Sequence, residues 1–235
     1  SGSFMKTALT QLGINYEYTT TFPSDPGKFG SVFMCLGVYP NKHILTAAEG
    51  QTLKVYLNQG GRLYMEGGDT WYYDQISYPT VLHPMFNVKG LKDNGGTLAT
   101  LNGKSGTFTA GMSFVYAGDN NYIDKIAPEN VGYSIFTNST SSFDVAVANE
   151  QNGYKTIGAA HEFGGLTDNL ASAKKDLMQQ YLDFFGVAGS YLIANFVGLP
   201  QQVVTGQEVT FTDLSSTVFT SRTWTFENGI PATST

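Results

Sequence analysis

Cysteine is almost absent: Cys35 stands alone in 235 residues, which excludes an internal disulfide framework. No stretch approaches the roughly 18 consecutive apolar residues that a membrane-spanning helix needs. Charge is scarce as well, at 14% of residues against about 25% in ordinary domains. Its balance is acidic, with 13 Lys and Arg against 19 Asp and Glu for a net charge of -6. The few cations are scattered and form no patch that would neutralise phosphates, so nucleic acid is excluded as a partner. His43 and His83 have no second His or Cys at ligand spacing, which leaves zinc without support. The opening segment, residues 1–6, lacks the basic-then-apolar layout of a signal peptide. What the chain does have is 41% hydrophobic and 14% aromatic residues, enough apolar surface to offset the entropy of folding. Its 27 glycines and 14 tyrosines, with so little charge, describe the uncharged, polar-aromatic surface common outside cells. An extracellular or cell-surface location is the expectation.

The first part of the chain alternates helical and strand periods as parallel α/β sheets require. Phe4, Met5, Ala8, Leu9 and Leu12 share one helical face, and Gly13 stops the helix. Residues 14–20 alternate as a strand, and 31–39 is apolar on both faces, as a central strand would be. Thr46 and Glu49 form a capping box that opens a helix to about Asn58, ended by Gly60 and Gly61. Residues 62–66 read as the next strand and run directly into Gly67, Gly68 and Asp69. From 77 to about 149 the helical period disappears. Short strands at 97–101, 106–116, 133–136 and 143–149 suggest an inserted β-rich region, antiparallel in part. A strand at 153–161 follows, then a helix capped by Asp168 and Asn169, carrying Leu170, Ala173, Leu177, Tyr181, Leu182 and Phe185 on one stripe and stopped by Gly186. After Ser190 the period becomes two. The chain therefore divides into an α/β domain, 1–189, and the N-terminal part of a β-sandwich, 190–235, too short for the roughly 100 residues of an immunoglobulin-like domain.

Residues 194–196, 206–215 and 223–229, the last reading Thr223, Trp224, Thr225, Phe226, Glu227, Asn228, Gly229, resemble the start of a polycystic-kidney-disease (PKD) repeat, an immunoglobulin-like sandwich of secreted and surface proteins. Glu227 and Asn228 replace the Gly-Asp of the family pattern, a departure shared by Bacteroidetes-type members. Residues 57–68, 116–124 and the strand, glycine turn and helix ending at 182–186 resemble the flavodoxin-like, class I glutamine amidotransferase-like domain that precedes such repeats in secreted multidomain proteins of that phylum. That resemblance implies a parallel sheet whose first strand is missing, to be supplied by an upstream segment or a complementary chain. It also implies a nucleophilic Cys at the elbow near Glu66 and a His-x-Glu pair after a late strand. The elbow has no Cys, Cys35 lies in an apolar strand where a thiol is inert, and His161 and Glu162 are adjacent instead of spaced by one. The scaffold is expected to lack its triad.

The loops after residues 62–66 and 153–161 would leave the carboxyl ends of neighbouring strands, where open α/β sheets bind ligands. Glu66, Asp69, His161 and Glu162 are accordingly a candidate binding constellation, with Trp71, Tyr72 and Tyr73 as a stacking wall for a sugar or peptide. The plainer reading is that Gly67 and Gly68 merely turn the chain while the aromatics pack under the insertion. Asp119, Asn120, Asn121, Asp124 and Glu129 offer several oxygens, and Asp119, Asn121 and Asp124 are a candidate calcium set. Their spacing misses the EF-hand pattern because Ile123 occupies a ligand position, so a plain turn competes with calcium. Asn138 begins an N-glycosylation acceptor pattern, which reads as an exposed polar turn.

No other cofactor is expected. The functional expectation is a non-catalytic secreted or surface module for binding, adhesion or display, with a glycan or a protein surface as ligand. The alternative is an accessory domain of a secreted peptidase or glycan-degrading hydrolase. A third reading is an active amidohydrolase using Cys35 or Asp69 with His161.

Overall fold

The computed structural model describes residues 1–140, 143–187, 196–200, 202–213, 223–226, 229–230 and 233–234. They fall into two compact units, Ser1–Gly189 and Ser190–Thr235.

The first unit is built on one ten-stranded sheet. Helix α1 (Gly2–Gln11) ends at Gly13, whose φ of +67° is the left-handed conformation that glycine adopts without strain. Strand β1 (Val32–Cys35) is followed by helix α2 (Ala47–Asn58), opened by the capping box of Thr46 and Glu49 as the sequence indicated. Strand β2 (Arg62–Glu66) lies parallel to β1, and strand β9 (Tyr154–Ala159) lies parallel to β2 on its other side. Between β2 and β9 come the short helix α3 (Tyr73–Ser77) and strands β3 (Val88–Lys92), β4 (Thr100–Gly103), β5 (Ser113–Tyr116), β6 (Lys125–Pro128), β7 (Tyr133–Asn138) and β8 (Phe143–Gln151). Strand β10 (Leu166–Thr167) and helix α4 (Lys174–Phe185) complete the unit. The strand order is β1-β2-β9-β8-β7-β4-β5-β10, with β6 pairing β3 and β8 off this path.

The expected flavodoxin-like parallel sheet is therefore corrected to a mixed sheet. Only β1, β2 and β9 run parallel, and every other pairing is antiparallel. The physical cause lies in the turns. Asn152 and Gly153 both take positive φ, 50° and 84°, the signature of a two-residue type I′ hairpin, and this locks β8 antiparallel to β9 with Gln151 opposite Tyr154. Strand β1 is the edge of the sheet, not its middle. Its apolar composition reflects helical cover: Phe33 rests on Phe185 of α4 at 5.8 Å between ring centroids, and Cys35 Sγ lies 3.7 Å from Met5 Sδ of α1. Residues 14–20 form no strand. Helix α4 begins later than its sequence stripe suggests. Asn169 folds back to accept the amides of Ala171 and Ser172, leaving Leu170 fully exposed, while Asp168 accepts the Lys174 amide.

Leu63, Tyr64 and Met65 of β2 and Val145, Ala146, Val147 and Ala148 of β8 are completely buried, so the core runs along both faces of the central strands. At about 25 cal/mol per Å² of buried apolar area, this core is the dominant favourable term in folding.

In the second unit, β11 (Phe196–Leu199) pairs antiparallel with β12 (Thr210–Asp213), and β13 (Trp224–Thr225) pairs with β14 (Thr233–Ser234). Phe196, Phe211, Trp224 and Phe226 gather with ring centroids 5.0–6.2 Å apart. Among the described residues these are two separate two-stranded ribbons, where the sequence suggested the N-terminal part of a PKD-like sandwich. Residues 194–195, 214–215 and 227–228 of the PKD resemblance lie outside the described residues.

Candidate functional site

Strands β1 and β2 end side by side, and their following loops are stitched together: Leu36 N–H donates to Glu66 O at 2.8 Å, and Gly68 N–H to Gly37 O at 3.1 Å. A third segment joins through Asp124 N–H to Gly68 O at 2.7 Å, and a fourth through Gly95 N–H to Ile123 O at 2.7 Å. The site thus forms at the carboxyl ends of parallel strands, as the topology of open α/β sheets dictates. Gly67 and Gly68 are required there for space. A Cβ on Gly67 would collide with the Thr70 side chain, and one on Gly68 would press on Val38 and Ile123 at 3.1 Å.

The structure gives the residues that the sequence grouped different partners. Glu66 is buried at the end of β2; its Oε2 accepts from the Tyr64 hydroxyl and the Phe163 amide, both at 2.7 Å. Burial raises its carboxyl pKa against these donors. Asp69 turns away toward Lys42, which bridges Asp69 Oδ2 at 2.8 Å and Asp74 Oδ1 at 2.7 Å. Trp71 is completely buried, its indole N–H donating to Ala159 O at 2.8 Å and its ring 5.0 Å from Phe86. It belongs to the core and supplies no stacking wall, a correction to the sequence reading. Tyr72 is half-buried and contributes its amide to Asp124, while Tyr73 is exposed beneath the Lys42 ammonium at 4.9 Å. Two other exposed rings, Tyr39 and Tyr122, meet edge to face at 5.2 Å and offer the aromatic surface that Trp71 does not.

His161 follows β9 but points to the β8 side. It is completely buried between Tyr116 and Phe136, with Nδ1 3.3 Å from Val145 O and Nε2 unpartnered among the described residues. Burial lowers its pKa to about 4. Glu162 is half-buried, and its amide meets the Tyr116 hydroxyl at 3.4 Å. Asp69 is thus drawn away to Lys42, whereas Glu66 and Glu162 both lie near Tyr116 and Cys35, and His161 packs on the same Tyr116. Cys35 belongs to an exposed residue at the sheet edge, yet its sulfur is desolvated, and this together with the Glu66 carboxylate pushes the thiol pKa far up. No hydrogen bond joins Cys35 to His161 among the described residues, so the thiol version of an amidohydrolase is not assembled.

The expected calcium set is also redistributed. Asp119 is exposed and Oδ1 accepts the Asn121 amide at 2.8 Å, a local Asx turn. Asn120 holds the Leu98 amide. Asp124 is buried elsewhere, with Oδ2 accepting the amides of Trp71 at 2.9 Å and Tyr72 at 2.7 Å. Burial, followed by the charges of Asp69 and Asp93, pushes its carboxyl up to about 8 against those two hydrogen bonds. Lys42 and Asp93 were missed by sequence reasoning. The only signal for Lys42 was its place in the loop after β1, and Asp93 sits 24 residues from Asp69 with no motif linking them.

No protein-family model matches the chain, and no curated protein does. Solved structures do. The chain is similar to a β-galactosidase from Bacillus circulans sp. alkalophilus with a TM-score of 0.58 and 13% identity, covering 83% of this chain and 28% of that one. It is similar to a cold-adapted β-galactosidase from Rahnella sp. R3 with a TM-score of 0.58 and 10% identity, covering 83% and 29%. A cytoplasmic protein from Salmonella typhimurium matches with a TM-score of 0.56 and 14% identity, covering 78% of this chain and 86% of that one. The chain thus spans under a third of the length of these β-galactosidases and most of the length of the smaller protein. At these identities the likeness is one of fold. No helix among the described residues is long and apolar enough to cross a membrane.

Proposed function

We propose that this chain is an accessory domain of a glycan-degrading hydrolase, one that supplies no catalytic carboxylate itself. The observation that carries the reading is the match of its fold to a portion, under a third, of two β-galactosidase chains. The side chains support it. Hydrolysis of a glycosidic bond needs two carboxyl groups flanking an open site, about 5–5.5 Å apart for retention or 6.5–9.5 Å for inversion. Glu66 is buried and held by Tyr64 and Phe163, while one oxygen each of Asp69 and Asp74 pairs with Lys42. The role left to such a domain is to pack against, space or orient the catalytic part, with Tyr39 and Tyr122 as the exposed aromatic contact for a sugar or a neighbouring chain.

The test is hydrolysis of a panel of 4-nitrophenyl glycosides by the purified chain. No turnover above the buffer rate is expected. Turnover that disappears in Glu66→Gln or Glu162→Gln would overturn the reading.

A further inference from the structure

Asp69, Asp93 and Asp124 each place one carboxylate oxygen within 4.8 Å of the other two. Asp124 is 0% exposed. Its Oδ2 is satisfied by two backbone amides, but its Oδ1 is buried and unpartnered among the described residues, and so is Asp93 Oδ1. A buried carboxylate oxygen without a donor is unfavourable unless a proton or a cation meets it. Lys42 does not do so. Its ammonium is engaged by Asp69 and Asp74, and no salt bridge among the described residues reaches Asp93 or Asp124. Neither histidine nor sulfur contributes to the cluster, so its donors are hard oxygens alone.

We infer that Asp69, Asp93 and Asp124 form a divalent-cation site, of calcium by its tolerance of irregular all-oxygen shells, which clamps the loop after β2 to the segments around β3 and β6. Calcium takes oxygens at about 2.3–2.6 Å in a flexible shell, so one ion spans oxygens up to about 5.2 Å apart, which covers the cluster; magnesium demands a near-ideal octahedron and keeps most of its waters. Water completes the shell. The ion supplies the positive partner that the two orphaned oxygens lack, and it ties together residues 24 and 31 positions apart in sequence. This inference stands independently of the hydrolase reading.

The experiment uses the whole chain, stripped of metal with a chelating resin, and follows thermal unfolding and titration calorimetry with calcium, magnesium and manganese chlorides. Calcium is expected to bind at one site and, at a hundredfold excess over Kd, to raise Tm by about 5–10 °C. Asp93→Asn should unfold at or above the temperature of the metal-free wild type, because it removes one of the crowded charges, and should lose the calcium response by at least tenfold in Kd. Asp124→Asn keeps a carbonyl for the Trp71 and Tyr72 amides and should lose the response likewise. Absence of a wild-type response at about 10 mM calcium, above the Kd range of the weakest calcium modules, would overturn the site. Equal responses in wild type and Asp93→Asn would overturn it too. A response to magnesium but not calcium would overturn the choice of ion.

Discussion

Protonation of His161 offers a sharp test of the claim that the residues resembling a catalytic set are structural. The imidazole is completely buried, flanked by Tyr116 and Phe136, and its one polar contact among the described residues is Val145 O. Burial moves its pKa from 6.5 down to about 4. The unfolded chain therefore binds a proton between pH 6.5 and 4 that the folded chain refuses. The stability carried by neutral His161 is fully present above pH 6.5 and is lost as pH falls through this window. At 1.36 kcal/mol per pH unit, the two and a half units amount to about 3 kcal/mol, a large share of a typical domain stability of about 5–15 kcal/mol. His83 shifts in the same direction, whereas the raised carboxyls of Glu66 and Asp124 act oppositely, so the raw pH profile mixes signs. The difference between wild type and His161→Phe isolates the single group. Phenylalanine fits the aromatic surroundings, and Val145 O keeps the Ala160 amide at 2.9 Å. Urea unfolding at steps from pH 7 to pH 4 should show wild-type stability falling relative to the variant by about 3 kcal/mol. A constant difference across the range, or an imidazole that titrates near 6.5 by nitrogen NMR, would refute the reasoning and return His161 to the list of catalytic bases.

Two further outcomes follow from the same geometry. Trp71→Phe removes the indole donor to Ala159 O and leaves a gap beside Phe86, so urea unfolding should show a loss of about 2 kcal/mol with no change in any sugar affinity. Cys35 should react with a thiol-directed disulfide reagent at pH 7.5 at least tenfold more slowly than a free cysteine, because desolvation and Glu66 hold its sulfur protonated; labelling at the free-thiol rate would contradict this.

Local features were legible in the sequence. The Thr46 and Glu49 capping box, the glycine stops at 13 and 186, and the strand leading into Gly67 and Gly68 all rest on interactions within a few residues, and the structure has each of them. That Asp69 stands in the turn directly after β2 was legible for the same reason. What failed was long-range. Apolarity on both faces of β1 reports the helices that cover it, not its position in the sheet, and the edge position depends on which strands pair. Adjacent Trp71, Tyr72 and Tyr73 share a composition but point into the core, along the surface and toward Lys42 respectively, a division set by turns that no period reveals. Asp93 and Asp124 meet because β3 pairs β6, a contact between segments more than 30 residues apart. The antiparallel sense of β8 and β9 was readable: Asn152 and Gly153 between two apolar runs are a strong hairpin signal.

Under the proposed function, no carboxylate of this chain attacks a sugar. Intact-mass spectrometry of the chain after incubation with activated 2-deoxy-2-fluoro glycosides, which trap the covalent intermediate of retaining enzymes, tests it directly. The expected result is an unmodified mass for the whole panel. A stoichiometric glycosyl adduct mapped to Glu66 or Glu162 would contradict it.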